Sequence, residues 1–254
     1  MLQRIFATSL AFFEQVGLIG RLIGETLYHI FRGDIDFKET IKQMVALGVE
    51  SIFIVLIVSG FTGMVFSLQV SQEFARFGAA SLIGQLLGLA VVRELAPVLT
   101  GVVVAGRAGS AIAAELGTMK VTEQVDALKA LATSPVQYLV VPRFLACAIM
   151  VPILTIFANL IGVFGGYLVS VYQVGVIPAV FWESTVAFLR PYDLFASLFK
   201  AFFFGIVIVI AGCFKGLNTK DGAQGVGDST ISSVVSGMIA VFIANYFLSA
   251  LLFK

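Results

Sequence analysis

The most apolar positions of the chain fall into five long stretches, which short charged segments separate. A helix that crosses a bilayer needs about 20 mostly apolar residues, and each of the five stretches reaches that length. The pattern therefore predicts five membrane-spanning helices. They cover approximately residues 49–70, 81–106, 144–171, 194–213 and 231–253.

The first 32 residues show a different pattern, in which a narrow charged stripe interrupts a wide apolar surface. The stripe is formed by Glu14, Arg21, Glu25 and Arg32. Their spacing of seven, four and seven residues places them on one face of a helix over residues 2–32. This pattern is typical of a helix that lies in the membrane interface, and a spanning helix that carries some charges is the alternative.

These patterns predict an all-α polytopic membrane protein, with an N-terminal interfacial amphipathic helix followed by about five transmembrane helices. We expect one domain over residues 1–254, with the interfacial region in residues 1–44 and the transmembrane bundle in residues 45–254. Asp36 is predicted to cap the helix that begins near Phe37. The first apolar segment contains acids and lacks a small-residue cleavage site, so we expect no cleaved signal peptide.

The composition supports a membrane protein and excludes several functional classes. Charged residues make up 12% of the chain, against about 25% in a soluble domain. The net charge of +1 gives no basic footprint for nucleic acid. One histidine and two separate cysteines predict neither a metal site nor a cofactor in this chain. Because phosphate-binding loops and hydrolase motifs are missing from the sequence, we expect no enzyme activity here, and any driving ATPase is a separate chain.

Two adjacent charges interrupt the second predicted span. Arg93 and Glu94 are the only charged residues between Phe77 and Gly106, and Pro97 follows them closely. A charge at bilayer depth costs about 2.5–3.5 kcal/mol on insertion scales, so such residues usually face a protein interior or a wet cavity. Neighbouring helical residues point about 100° apart, so each should meet a partner elsewhere. Two interpretations stay open: Arg93 binds a phosphate or carboxylate of a ligand, or the two charges join helices through ion pairs.

Residues 107–143 contain most of the charges between the second and third spans, and we predict that they form the main water-facing segment. Small residues recur on one helical face at its start. They are Gly106, Gly109, Ser110, Ala113, Ala114 and Gly117. Such a face lets another backbone approach closely, which predicts a tight helix–helix or subunit contact; a merely alanine-rich helix is the alternative.

Residues 122–131 predict a short amphipathic helix within this segment. Thr122 is its candidate cap, and Glu123 and Asp126 lie in the first turn, where the helix dipole favours acids. Its apolar side is formed by Val121, Val125, Leu128 and Ala132. That side either docks in a groove of a soluble partner or rests on the transmembrane bundle.

The distribution of lysine and arginine predicts the orientation of the chain, because cytoplasmic loops carry more of them. One side holds Arg4, Arg21, Arg32, Lys38, Lys42, Arg107, Lys120, Lys129, Arg143, Lys215 and Lys220. The other side holds Arg76, Arg190 and Lys254. Five spans then place the N-terminus in the cytoplasm and the C-terminus on the outer side.

Several long runs of this sequence resemble the MlaE/YrbE family of permeases, and the resemblance covers residues 45–253. These runs are far less expected by chance than a short motif. The most specific ones are residues 58–65 (VSGFTGMV), residues 93–98 (RELAPV), residues 105–128 and residues 138–152.

The resemblance implies the membrane subunit of an ABC transporter that moves phospholipids or related lipids between membranes, located in a bacterial inner membrane. Members of the family form a homodimer, bind a cytoplasmic ABC ATPase that holds the ATP, and meet an MCE-domain protein on the outer side. The resemblance also implies a lipid cavity at the dimer interface. Phe66, Arg93 and Glu94 would line or border it, with Arg93 nearest a lipid phosphate.

The resemblance further implies that the cytoplasmic loop helix contacts the ATPase. The coupling residues would be Glu115, Thr122, Glu123, Val125, Asp126 and Leu128. Many relatives carry an aspartate where this chain has Asn245, so a role that depends on ionisation there does not carry over. An ion-coupled carrier or channel for an anionic amphiphile is the alternative function, although the missing internal repeat counts against it.

Overall fold

Helices form almost all of the described part of the chain. The structure is a computed structural model that describes residues 2–76, 79 and 82–253, with side chains from Phe13 onward except those of residues 75 and 76. The predicted start of the second span at residue 81, and Lys254, lie outside the described residues. The helices are α1 (Leu2–Arg32), α2 (Phe37–Leu47), α3 (Ile52–Arg76), α4 (Ile83–Ala90), α5 (Ala96–Val104), α6 (Ser110–Val121), α7 (Gln124–Ala130), α8 (Val141–Tyr172), α9 (Pro178–Phe188), α10 (Pro191–Leu217) and α11 (Gly222–Leu252).

Five helical segments in the described residues are long and apolar enough to cross a membrane. They are Phe37–Phe74, Ile83–Val121, Val136–Tyr172, Pro191–Leu217 and Gly222–Leu252. The all-α polytopic fold with five spans is therefore confirmed. Helix α1 forms as predicted but is not one of the five segments, and its place in the membrane interface stays a prediction.

The connections define two ends of the bundle. The end that carries α7 and the turn between α10 and α11 is called the α7 end; the end that carries α9 is called the α9 end. The second span enters at the α9 end as α4 and leaves at the α7 end as α6, with π-helical segments at Val91–Leu95 and Ala105–Gly109 joining α4, α5 and α6. These three helices are called the α4–α6 rod.

Three predicted boundaries differ from the structure. The rod continues past Gly106 to Val121, because its small residues pack closely on α10 and α11: the Ser233 hydroxyl donates to the Gly109 carbonyl at 3.1 Å. The predicted loop over residues 172–194 contains α9, which packs on α4. The predicted polar loop after Lys215 is a short turn, since α11 already begins at Gly222.

The predicted cap at Asp36 is confirmed. The Asp36 carboxylate accepts hydrogen bonds from the backbone N–H groups of Lys38 (3.0 Å) and Glu39 (3.1 Å), which satisfies two open donors in the first turn of α2. Helix α2 continues through one 3-10 turn into α3, so the first span is longer than its apolar core predicts.

Helices α3 and α8 meet along a seam of glycine and serine. A Cβ atom on Gly63 would overlap the carbonyl oxygen of Gly162, so the two backbones touch there. Further along, the buried Ser67 hydroxyl donates to the Gly166 carbonyl at 2.8 Å and lies 2.7 Å from the Ser170 hydroxyl. Close backbone contact replaces the hydrophobic driving force that helices lack inside a membrane.

This seam predicts different results for two glycines one turn apart on α3. Gly63→Ala should separate α3 from α8 and cost about 1–3 kcal/mol through overpacking. Gly60→Ala is the control, because its Cβ would meet only the Ile161 side chain, at 3.4 Å. The thermal unfolding midpoint of the purified protein checks this. Equal midpoints for the two variants would contradict the seam.

Candidate functional site

The candidate site starts from a break in the α4–α6 rod. In a regular helix the N–H of residue 97 would bond the carbonyl of Arg93, but Pro97 has no N–H. The backbone widens into a π-helical segment at Val91–Leu95. Lys200 of α10 supplies the missing donor: its ammonium group lies 2.8 Å from the Arg93 carbonyl oxygen. A side chain from another helix thus satisfies the opened backbone.

The same ammonium group is the partner of Glu94. Lys200 is fully buried, with 0% of its side chain exposed, and its Nζ lies 2.8 Å from Glu94 Oε1. It also donates to the Ser249 hydroxyl at 2.6 Å, which in turn lies 3.0 Å from Glu94 Oε1. The Asn245 amide donates to Glu94 Oε2 at 3.0 Å. One carboxylate therefore joins the rod to both α10 and α11.

Arg93 has a separate partner, Asp193 in the first turn of α10. The Nε and Nη2 atoms of Arg93 each lie 2.8 Å from Asp193 Oδ1. The backbone N–H of Arg190 donates to Asp193 Oδ2 at 2.9 Å, which holds the buried carboxylate in place. The Phe253 ring covers both cations, at 4.6 Å from Arg93 Cζ and 5.0 Å from Lys200 Nζ.

These four charged side chains, Arg93, Glu94, Asp193 and Lys200, are called the charge network, and their formal charges sum to zero. Of the two interpretations of Arg93 and Glu94, the structure shows ion pairs between helices. Both side chains nevertheless stay partly open in the single chain, with 34% of Arg93 and 42% of Glu94 exposed. Within the described residues, Arg93 Nη1 has no hydrogen-bond partner, so one donor group of the guanidinium is available to a ligand.

Phe66 is not part of this arrangement. It lies half-buried in α3 and packs against the core. The ion pairs, hydrogen bonds and ring contacts that the structure gives Arg93 and Glu94 come from α10, α11 and Phe253. The role of Phe66 in lipid binding stays a prediction.

The sequence analysis did not identify Asp193, Ser249 and Phe253 as partners of the two charges. Asp193 lies at the edge of an apolar stretch, where an acidic residue predicts a water-facing loop. Lys200 gave a usable signal, since it is a lone cation inside the fourth span. Pro97 gave a second signal, because a proline in a span leaves a carbonyl group that another side chain must satisfy.

A second group of predicted residues lies at the α7 end. Asp126 accepts hydrogen bonds from Lys120 (2.8 Å) and Lys129 (3.0 Å), and these, with Lys120 first, lower the pKa of the Asp126 carboxyl from its ordinary value. A lowered pKa means that the ion pairs hold α7 at neutral pH and weaken only as the pH falls through the carboxyl's folded-state pKa. Lys120 ends α6, so the pair ties α7 to the rod.

The predicted cap at Thr122 is wrong. Its hydroxyl donates to the Thr118 carbonyl at 2.8 Å, so Thr122 closes the end of α6 instead of opening α7. Glu123 precedes α7 in a left-handed conformation, with φ of 60°, and no side chain caps the helix. The Thr122 hydroxyl is already engaged at the end of α6, so it does not cap the first N–H groups of α7.

The apolar side of α7 rests on the bundle, which was the second of the two interpretations. Val125 is buried with 3% exposed, and Leu128 packs against the core. A large apolar side chain, Leu131, is exposed at 76% just after the helix. Glu115 forms an ion pair with the buried Arg143 at 2.8 Å and so links α6 to α8. For every predicted coupling residue, a role in binding an ATPase stays a prediction.

The family described as Permease MlaE matches residues 40–251. A probable ABC transporter permease protein of Synechocystis sp. is 50% identical over 92% of this chain and 89% of its own length. One of Rickettsia prowazekii is 39% identical over 97% and 95%. The chloroplastic protein TRIGALACTOSYLDIACYLGLYCEROL 1 of Arabidopsis thaliana is 40% identical over 92% of this chain and 67% of its own length.

The charge network predicts a loss and a rescue of stability. Lys200→Met leaves Glu94 without its buried partner and should cost about 3 kcal/mol, the low end for a broken buried pair because Glu94 is partly exposed. Adding Glu94→Gln should restore part of this, since the amide keeps hydrogen bonds without a charge while the Arg93 carbonyl still lacks its donor. Thermal unfolding of the purified variants measures both effects. A double variant no more stable than the single one would contradict the pairing.

Proposed function

Because this chain belongs to the MlaE permease family, and so is an ABC transporter permease subunit, we propose that its cargo is a phospholipid or a related lipid. A separate ABC ATPase binds and hydrolyses the ATP, and this chain forms the path in a bacterial inner membrane. The name of the Arabidopsis thaliana relative contains that of a galactolipid, which supports a lipid as the class of cargo.

The observation that carries the lipid proposal is the partly open Arg93. Two of its three guanidinium nitrogens bind Asp193, which fixes the plane of the group, and Nη1 is left for an external acceptor. A phosphate is a fitting acceptor, because arginine binds it with charge-assisted hydrogen bonds. The site lies toward the α9 end of the bundle, because Asp193 is in the first turn of α10 and Phe253 directly follows α11. A lipid headgroup is more accessible there than in the middle of a bundle.

The proposed path is a chamber between two copies of this chain. Phe66, Arg93 and Glu94 would border it from each copy, as the family resemblance implies. Helices α3 and α11 support a partner copy or lipid at this surface, because both carry large exposed apolar side chains, such as Phe61 and Phe242. An MCE-domain protein would receive or deliver the lipid at the α9 end, with the N-terminus in the cytoplasm and the C-terminus outside.

Movement of the ATPase would reach the chamber through the rod. Helix α7 is tied to the end of the rod by Lys120 and Asp126, and the rod is tied to the first span by Arg107, which lies 2.6 Å from Glu50. A displacement of α7 would therefore move α6, and the π-helical segments at Ala105–Gly109 and Val91–Leu95 are places where the rod can adjust. In the charge network this adjustment changes how far Arg93 opens to the chamber.

The alternative function, an ion-coupled carrier, needs an acid that takes up and releases an ion. Both oxygens of Glu94 and both oxygens of Asp193 are already held by protein donors. This arrangement favours a fixed network over a titrating site. A vesicle assay separates the two functions, because an ABC permease needs ATP and a carrier needs the ion gradient.

Arg93→Lys tests the role of the guanidinium in lipid transport. A lysine keeps the positive charge beside Asp193 but loses the planar group that frees Nη1, so ATP-dependent transfer should fall about tenfold, the value of one charge-assisted hydrogen bond. Transfer of a fluorescent phospholipid is measured in vesicles that contain the permease and its ATPase. The control is Arg190→Lys, the same substitution at an exposed position nearby. Wild-type transfer by Arg93→Lys would exclude the phosphate role.

Leu131→Asp tests the contact with the ATPase. Because Leu131 is exposed while Val125 is buried, a charge at 131 should release the ATPase from a folded permease. Val125→Asp should instead lower the amount of folded permease, since it buries an unpaired charge. Co-purification of the ATPase, scaled to the amount of monodisperse permease, distinguishes them. Full ATPase binding by Leu131→Asp would remove this residue from the contact.

A further inference from the structure

A cleft runs between α1 and the α7 ends of α10 and α11, far from the charge network. It has an apolar section of about 370 Å³ and a polar section of about 460 Å³. Gln15, Phe214 and Lys215 line both sections, so the two adjoin each other. We call the whole the α1 cleft. Each section falls within the size range of small-molecule sites, which is about 300–1,000 Å³.

The polar section presents two cations and two anions that do not pair with one another. Its charged residues are Glu14, Lys215, Lys220 and Asp228. Within the described part of the chain, none of these four takes part in an ion pair, whereas Arg21 and Glu25, about two turns beyond Glu14 on α1, pair at 2.7 Å. Four unpaired charges of both signs around one opening suit a ligand that itself carries both signs.

The apolar section begins directly beside these charges. It lies between Ile19 and Ile23 of α1, Ile206 and Ile210 of α10, and Ala240 of α11. No charged side chain other than Lys215 lines it, and Lys215 stands where the two sections join. The α1 cleft thus has the shape of an amphiphile, with a charged opening and an apolar interior.

The predicted place of α1 in the membrane interface narrows the class of ligand. An amphipathic helix in the membrane interface lies at the depth of the lipid headgroups, with its apolar face about 5–10 Å into the acyl boundary. The polar section then faces headgroups and the apolar section faces acyl chains. A phosphate would meet the ammonium groups of Lys215 and Lys220, and an amine would meet the carboxylates of Glu14 and Asp228.

We propose that the α1 cleft binds one zwitterionic glycerophospholipid from the leaflet in which α1 lies. Its headgroup bridges Lys215 and Lys220 on one side and Glu14 and Asp228 on the other, and one acyl chain fills the apolar section. This site is distinct from the charge network, which lies toward the other end of α10. Binding here needs neither ATP nor transport, so it is tested apart from the proposed function.

The experiment uses the permease in complex with its ATPase, in vesicles of phosphatidylethanolamine and phosphatidylglycerol. A trace of phosphatidylethanolamine with a photoactivatable group in its acyl chain is added, and labelled peptides are identified by mass spectrometry. We expect labelling around Ile19 and Ile206. The double variant Lys215→Gln with Lys220→Gln should reduce it about tenfold, as for lost charge-assisted hydrogen bonds. Lys38→Gln with Lys42→Gln, the same charge change on the exposed side of α2, should not.

A second variant tests the apolar section without touching the charges. Ala240→Trp should fill the section and abolish labelling of Ile19, whereas Ala250→Trp, the same change at an exposed position of α11, should leave it intact. Monodisperse elution with bound ATPase shows that each variant is folded. Equal labelling of the wild type and the lysine double variant would show that the labelled lipid is an ordinary boundary lipid. That result would overturn the proposal. Equal labelling by a matched phosphatidylglycerol probe, or cross-links to a second copy in place of lipid, would overturn it too.

Discussion

This structure depends on satisfying polar groups inside an apolar bundle. The Lys200 ammonium group satisfies two of them. Pro97 frees the carbonyl of Arg93, and the neighbouring Glu94 brings a negative charge into the same turn. The buried Lys200 ammonium group donates to both the Arg93 carbonyl oxygen and Glu94 Oε1, at 2.8 Å from each. Since an unpaired group in hydrocarbon costs several kcal/mol, this contact fixes where α10 stands relative to the rod. Because Asp193 lies in α10, the same placement brings its carboxylate to Arg93 and holds the guanidinium group.

Helix packing and further ion pairs hold the rod away from the charge network. The seam between α3 and α8 depends on glycine backbones in contact, and the small residues of α6 allow α10 and α11 to approach the rod. Arg107, Glu115 and Lys120 each form an ion pair with a different neighbour. The rod is thus held along its length by several neighbours, and the proposed coupling of α7 to Arg93 depends on these contacts. Asn245 fits this view, since a neutral amide donates to Glu94 without adding a second negative charge.

Sequence patterns predicted the number of spans and the cap at Asp36, because apolar length and local capping chemistry need no tertiary context. They placed the end of the second span and the start of the fifth span incorrectly. The charges after Gly106 and the polar, glycine-rich residues before Ile231 are typical of water-facing segments until the helices that pack on them are known. Lys200 could be suspected as a partner, since it is a lone cation inside a span, but the other partners of Arg93 and Glu94 could not be predicted. Asp193 and Ser249 lie about 100 and 155 residues away in the chain, and only packing of α10 and α11 brings them to the rod. The buried side of α7 could be narrowed to two interpretations, and contact with the core decided between them.

A cryo-electron microscopy map of the permease with its ATPase, in phospholipid nanodiscs, tests the central claim most directly. The account predicts density that joins the Lys200 ammonium group to Glu94 and to the Arg93 carbonyl, with a lipid phosphate within hydrogen-bond distance of Arg93 Nη1. A Lys200 side chain that points away from the rod, or an Arg93 that faces no lipid in any nucleotide state, would contradict it.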